Sequence, residues 1–251
     1  MPEQESQNAH AYFRLPFVVM KLAGNVEKFN QGVMTNTLAA PRNAFIDIYG
    51  RTVAVFYQKF LGGELYVAFN EKYKGKLPGH IKMHLAIGKT KLEPTGLQAY
   101  FVAGAGQGAD EIAGIKIPEK GGYVLLAQNP PQGMQEMNEG QFTLFRLENG
   151  ISMQGAEFGD EMIMNTDWSD AVSFSKGCFL GQEIMVKVTQ RGRPPKRLVR
   201  IAFEQEPQKI TRGQFEVGEV RSKGFSKTLG KWIAYCSIPN DGLGVDGGSI
   251  I

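Results

Sequence analysis

The sequence predicts an α+β protein assembled from small units, and three observations point to it. Short runs rich in β-branched and aromatic residues recur through the first half, as at 43–57, 65–69, 100–102 and 123–127. Helical spacing appears between them, at Val26, Phe29 and Val33 and again at Ile81, His84 and Leu85. From Leu198 onward the pattern is all-β, with turn residues separating the runs as in a small barrel. The 251 residues, 42% hydrophobic and 21% charged, describe an ordinary soluble globular chain, long enough for one large domain or two or three small ones.

The net charge of +3 is too weak by itself to imply nucleic acid. Cys178 and Cys236 stand far apart without C-x-x-C spacing, which argues against a disulfide framework and against a self-sufficient zinc or iron–sulfur site. No stretch approaches the ~20 apolar residues that span a bilayer. The polar, acidic start at 1–8 has neither secretory nor transit-peptide character, so a cytoplasmic protein without a membrane partner is expected.

Taken in order, residues 1–11 read as a frayed tail. Phe17 to Met20 is a strand ending at Gly24, and Asn25 is placed to cap a helix over 26–34. Residues 43–57 read as strand, Gly50 turn, strand, and 65–69 as a further strand. A helix follows Pro78. His80 and His84 share its spacing, but without an H-E-x-x-H pattern or another ligand cluster they read as solvated surface residues, and no metal is expected. The glycines of 104–108 lack the continuation of a dinucleotide loop and read as a flexible connection. Strand, helix and strands across roughly 50–140 suit a ferredoxin-like α+β unit, with a boundary near Pro130, Pro131 and Gly133.

Strict alternation over 141–150 predicts a strand with Phe142, Leu144 and Arg146 on one face and Thr143, Phe145 and Leu147 on the other. Arg146 and Glu148 would then project to the same side, as an ordinary surface pair. The octet 176–183, Lys-Gly-Cys-Phe-Leu-Gly-Gln-Glu, brackets a cysteine between glycines and opens an apolar run over 183–188 that suits a short helix or strand. Lys176 two residues before the thiol, and a helix N-terminus just after it, would favour a thiolate; a turn around a buried, inert cysteine is the plain alternative. Residues 187–200 carry six basic side chains and no acid. Pro194 and Pro195 make the segment an extended linker, a solvated hinge or an electropositive wall for an anion. Cys236 lies inside the last strand as packing, and 241–251 read as loose.

The octet fills every fixed position of K-G-C-[FY]-x-G-Q-E and so resembles the YgfZ-type folate-binding proteins, relatives of the glycine-cleavage aminomethyltransferase (T-protein). Other elements follow in the order that family has: Gly24, Phe29, Thr35 and Asn36 near the start, Arg146-Leu147-Glu148-Asn149-Gly150, Gly155 to Glu157, and Gly218 to Ala234 near the end. The resemblance implies a three-unit T-protein-like architecture. Residues 12–48 plus 141–195 would form a discontinuous folate-binding unit, 49–140 the ferredoxin-like insertion and 196–240 the C-terminal β-barrel, with loose tails at 1–11 and 241–251.

The function it implies is binding of tetrahydrofolate or a derivative in aid of iron–sulfur cluster assembly or repair, with iron–sulfur client or assembly proteins as partners. Glu148 would hold the pterin, since a carboxylate accepts two hydrogen bonds from its amino and ring N–H edge. Asn36, Arg146, Lys176, Gln182 and Glu183 would stand beside it, and Cys178 would be the functional thiol, acting as nucleophile, redox sensor or transient ligand. Where the aminomethyltransferases carry an aspartate pair this chain has Ala54 and Val55, neither of which transfers a proton. A one-carbon transferase or demethylase would need another acid/base group, Asp47 or Glu183. A third class is a partner- or RNA-binding module through Arg191, Arg193, Lys196 and Arg197, although the aromatic interleaving used for base stacking is absent.

Overall fold

The structure, a computed structural model, describes residues 11–104 and 112–251. The first ten residues of the expected frayed tail, and residues 105–108 of the glycine-rich connection, lie outside the described residues. In chain order the elements are β1 (Ala11–Arg14), β2 (Phe17–Gly24), α1 (Val26–Val33), β3 (Arg42–Ile46), β4 (Thr52–Leu61), β5 (Glu64–Asn70) and α2 (Leu77–Gly88). Then come β6 (Thr90–Pro94), β7 (Gln98–Ala103), β8 (Ile115–Glu119), β9 (Gly122–Ala127), β10 (Gln135–Glu136), α3 (Glu139–Asn149) and α4 (Gln182–Arg191). The chain closes with β11 (Lys196–Phe203), β12 (Ile210–Arg212), β13 (Phe215–Ser226), β14 (Lys231–Pro239) and β15 (Gly248–Ile250).

These strands form three five-stranded sheets. The first runs β3-β4-β5-β2-β6 and carries α1 and α2 on one face, over a core of Leu22, Phe29, Phe45, Phe56, Val67 and Ile81. Its other face turns Val19, Ala44, Val55 and Ala68 into the central core. The second runs β10-β1-β7-β9-β8, so residues 49–140 supply strands to both sheets. The third, β12-β13-β14-β11-β15, is the curled half-barrel of the C-terminus. Cys236 is buried in its core beside Ile201, Phe203 and Ile238. Among the described residues no helix is long and apolar enough to cross a membrane.

Three expectations are corrected. Residues 141–150 do not form a strand: α3 spans them, capped by Asn138, whose side chain accepts from Gln141 N at 2.9 Å while Gln141 Oε1 accepts from Asn138 N at 2.9 Å. Gly150, with φ +69°, ends it. The alternation misleads because α3 is wedged between two sheets. Phe142 and Phe145 pack on Phe101 of β7, while Leu144 and Leu147 meet Gly224 of β13, so opposite helix faces are both apolar.

The basic stretch 187–200 is not an extended linker: its first part is α4 and its last part is β11, paired between β14 and β15. Only residues 192–195, with both prolines, connect them. Nor is the segment after 240 wholly loose, because β15 pairs with β11 through Ile201, Ala202 and Phe203. A smaller difference concerns His80 and His84, which are half-buried on α2 rather than fully solvated.

Candidate functional site

The octet forms a corner at the end of α1. The last carbonyls of a helix have no partner within it, and here Lys176 supplies one: its Nζ donates to the carbonyls of Asn30 at 2.9 Å and Gln31 at 3.1 Å. Leu180 N adds a bond to the Gly32 carbonyl at 3.1 Å. A cation is also favoured at this end by the helix dipole. Burial pushes the Lys176 ammonium down to about 8. Phe179 is buried beneath it, with Nζ 5.4 Å from the ring centroid.

Gly181 starts α4 with φ +81°, and a Cβ there would overlap the Asp47 carbonyl oxygen, so the position needs glycine on both counts. Met185, one turn on, is fully buried against Gly50 in the β3–β4 turn. With Lys176, Phe179 and Gly181 all engaged in the fold, Cys178 is left exposed with its thiol free, whereas burial pushes the Cys236 thiol up to about 12.

The other expected site residues are not gathered around this thiol. Asn36 is buried and donates through Nδ2 to the carbonyls of Arg42 at 3.2 Å and Asp170 at 2.9 Å, pinning the loop after α1 to the segment before the octet. Arg146 and Glu148 are neighbours in a helix rather than a strand and point apart. Arg146 turns inward to Glu157, Nη1 to Oε2 at 2.8 Å, in an ion pair buried on both sides. Glu148 is half-buried and faces the third sheet, where its Oε1 accepts from Ser226 Oγ at 2.7 Å. Gln182 is the half-buried first residue of α4, and Glu183 is an exposed partner of Lys187 at 2.7 Å. Asp47 is occupied in its own turn, accepting from the N–H groups of Tyr49 and Arg51.

A cleft of about 380 Å³ lies between the end of α3, the β8–β9 turn and the third sheet, walled by Lys120, Asn149, Gly150, Asp167, Leu198, Val199, Arg200, Tyr235, Ile250 and Ile251. Glu148 stands one residue from its wall. Asp167 is the acid inside it, bonded by Ser152 Oγ and, at 3.0 Å, by the Tyr235 hydroxyl. Burial raises the Asp167 carboxyl above the usual range, although both hydroxyls and the nearby Arg42 and Lys120 pull it back. Arg200 Nη1 donates to the carbonyls of Leu147 and Glu148, both at 2.8 Å, and Lys120 Nζ to that of Gly150 at 3.0 Å, so both cations fix the end of α3. Beside the cleft, Arg42 pairs with Glu119, reaches Asp170 at 3.3 Å and lies 4.5 Å over the Trp168 ring, tying the first sheet to the second. No local signal in the sequence marks Asp167, because its partners lie 15 and 68 residues away. Among the described residues no cluster of three or more metal-ligating side chains occurs.

Ala54 and Val55 are both buried in β4, the first under the helices and the second facing the central core. Val55 N donates to Gln154 Oε1 at 2.9 Å.

No family model matches the chain. Among curated proteins it is similar to an iron-sulfur cluster assembly factor IBA57 homolog, mitochondrial, of Coccidioides immitis (strain RS), 34% identical over 94 residues, or 34% of this chain and 22% of that one. A protein of the same description from Mycosarcoma maydis is 31% identical over 67 residues, 25% of this chain and 17% of that one. The chain thus matches less than a quarter of the length of either relative. The crystal structure of glycine cleavage system aminomethyltransferase T from Bartonella henselae superposes with a TM-score of 0.75 over 92% of this chain and 79% of that one, at 11% identity. These likenesses support the YgfZ- and T-protein-like relationship that the octet and its companion motifs imply. At 11% identity the T-protein likeness is one of fold, and the T-protein-like frame is what brings α3, the octet and the half-barrel into one molecule.

Proposed function

We propose that this protein is an iron–sulfur cluster assembly or repair factor that binds a tetrahydrofolate derivative and acts through Cys178. The observation that carries the reading is the corner itself: Lys176, Phe179 and Gly181 are held in place by the fold while the cysteine between them is presented to solvent. A free, exposed thiol suits any compartment that keeps thiols reduced, of which the cytoplasm is one. Two proteins named as iron–sulfur cluster assembly factors are similar in sequence, which supports the same role here.

The cleft at the end of α3 fits the pterin head of a folate. Its volume is in the range of small-molecule sites. Leu198, Val199 and Tyr235 offer flat apolar wall, Asp167 and the adjacent Glu148 offer carboxylates for the N–H edge, and Lys120 and Arg200 offer charge for the carboxylate tail. Bound folate would supply a one-carbon carrier. What this chain's residues do is orient it and hold carboxylates at its donor edge. Aminomethyl transfer is not favoured, since Ala54 and Val55 are packing residues, Asp47 is occupied by its turn and Glu183 by Lys187.

Calorimetric titration of tetrahydrofolate into wild type, Glu148→Ala and Asp167→Asn tests the folate half. A charged hydrogen bond left unmade costs about 1.5–3 kcal/mol, roughly a tenfold to hundredfold loss of affinity. Loss in Asp167→Asn alone would move the pterin contact from Glu148 to Asp167, and no binding by folded wild type would overturn the folate assignment. For the cluster half, iron–sulfur enzyme activities are measured in cells lacking the protein and resupplied with wild type or Cys178→Ser. Equal rescue by both would remove the thiol from the function.

A further inference from the structure

The helix α2 is apolar on two faces. Leu77, Ile81 and Gly88 face the core, as an amphipathic surface helix requires. Its opposite side carries Gly79, Lys82, Met83, Ala86 and Ile87, all exposed, at the i, i+3, i+4, i+7, i+8 spacing of a single stripe. Met83 is 65% and Ile87 61% exposed. A helix apolar all round is ordinarily covered on both sides. Around this stripe Lys72, Lys74, Lys76, Lys82, Lys89 and Lys91 are exposed, and none takes part in an ion pair among the described residues. Glu71 and Glu93 are the only acids between residues 71 and 93.

α2 packs against β4, and the β3–β4 turn that leads into this strand meets the corner that holds the thiol. The Asp47 carbonyl lies against Gly181 of the octet. The same turn exposes Ile48 at 56% and Tyr49 at 60%.

We propose that the outward face of α2, together with the β3–β4 turn, is the docking surface for a partner protein with an acidic rim around an apolar patch, and that docking brings that partner to Cys178. The first clause stands on the surface itself; the second rests on the function proposed above. An apolar centre ringed by charge is how protein interfaces are built, and six lysines with no ion pair among the described residues select an acidic partner by attraction and by repulsion of basic ones. A nucleic acid would use the lysines but gain nothing from Met83 and Ile87. The basic residues at 187–200 make a poorer surface, since they are divided among α4, a short connection and β11.

The experiment places a photo-crosslinking amino acid at Met83 of the full chain in cells, with the same residue at exposed Phe215 of the third sheet as control. The expected result is an adduct to a protein of acidic sequence from position 83 and not from 215. Its yield should fall about tenfold or more when Lys76→Glu, Lys82→Glu and Lys89→Glu are combined, as steering by surface charge predicts. Unchanged thermal unfolding and unchanged Cys178 labelling show that the charge variant is folded. An adduct to RNA or lipid, an adduct insensitive to the three reversals, the same adduct from position 215, or no adduct overturns the proposal. Charge-dependent crosslinking together with normal iron–sulfur enzyme activities in the variant would leave the docking surface standing and remove its link to cluster assembly.

Discussion

The octet corner and the interior around α3 treat their polar residues in opposite ways. In the interior the charges around α3 are answered by other parts of the chain: Arg146 by Glu157, although Arg146 Nε and Glu157 Oε1 keep no partner among the described residues, Arg42 by Glu119 and Asp170, and Asp167 by Ser152 and Tyr235. At the corner, backbone carbonyls are answered by Lys176 and apolar surface by Phe179, and the one reactive group is left unanswered. A buried charge without its partner is costly, so the interior is constrained by stability. An exposed thiol contributes almost nothing to stability, so a corner shaped around one points to use.

The contrast breaks most forcefully in the interior. Arg146→Ala should destabilise by about 3–5 kcal/mol, because it strands the Glu157 carboxylate in the core, and Arg146→Met with Glu157→Leu should recover most of that. Urea unfolding of the three proteins measures it; an Arg146→Ala change below about 1 kcal/mol would mean that solvent reaches the pair.

The corner's two glycines sharpen the contrast within the octet. Gly181→Ala should cost about 3 kcal/mol, from a left-handed backbone and overlap with the Asp47 carbonyl. Gly177→Ala, also left-handed at φ +105° but with nothing within 4 Å of its Cβ, should cost about 1 kcal/mol. Equal costs would show that backbone conformation, and not the approach of the β3–β4 turn, sets the requirement.

Lys176→Met should lose about 1 kcal/mol by uncapping α1. Its pH dependence carries a sign. Because the folded ammonium titrates near 8 and the unfolded one near 10.5, the unfolded chain holds more protons between those values, and wild-type stability gains from this group as pH rises through that window. The mutant should lack that gain, so the difference between the two proteins widens from pH 8 to 10.5; a constant difference would place Lys176 in a more solvated setting.

The smallest effect expected is the most informative. Cys178→Ser should change stability by less than about 0.5 kcal/mol, as exposed substitutions do. A thiol reagent should modify Cys178 in native protein and reach Cys236 only on unfolding. Rapid native labelling of both would show the half-barrel to be open.

Much of the frame is legible in the amino-acid order. Asn25 capping α1, the hairpin around Gly50 and the strands β7 and β9 follow from short-range signals, which act within a few residues and so are written locally. The octet's order of residues also marks its importance, although not the reason: Lys176 reads as a neighbour of the thiol but serves as the cap of a helix 145 residues away. The helix α3 reads as a strand because burial on two sides writes apolar residues at nearly opposite angles, and a period of two results where a single covered face would give 3.6.

By itself the sequence determined the α+β class, the elements whose signals lie within a turn of one another, and the resemblance to the YgfZ and T-protein group that its ordered motifs carry. The tertiary structure decided which polar residues are partners. Arg146 went to Glu157 and not to Glu148, Asp167 became the acid of the cleft, and the Asp47 carbonyl of the β3–β4 turn came to lie against Gly181 of the octet. Covalent neighbours share a helix face or a strand edge by periodicity, which a sequence displays. Groups tens of residues apart meet only once the sheets have packed, and burial then makes each unpaired polar group too costly to leave alone.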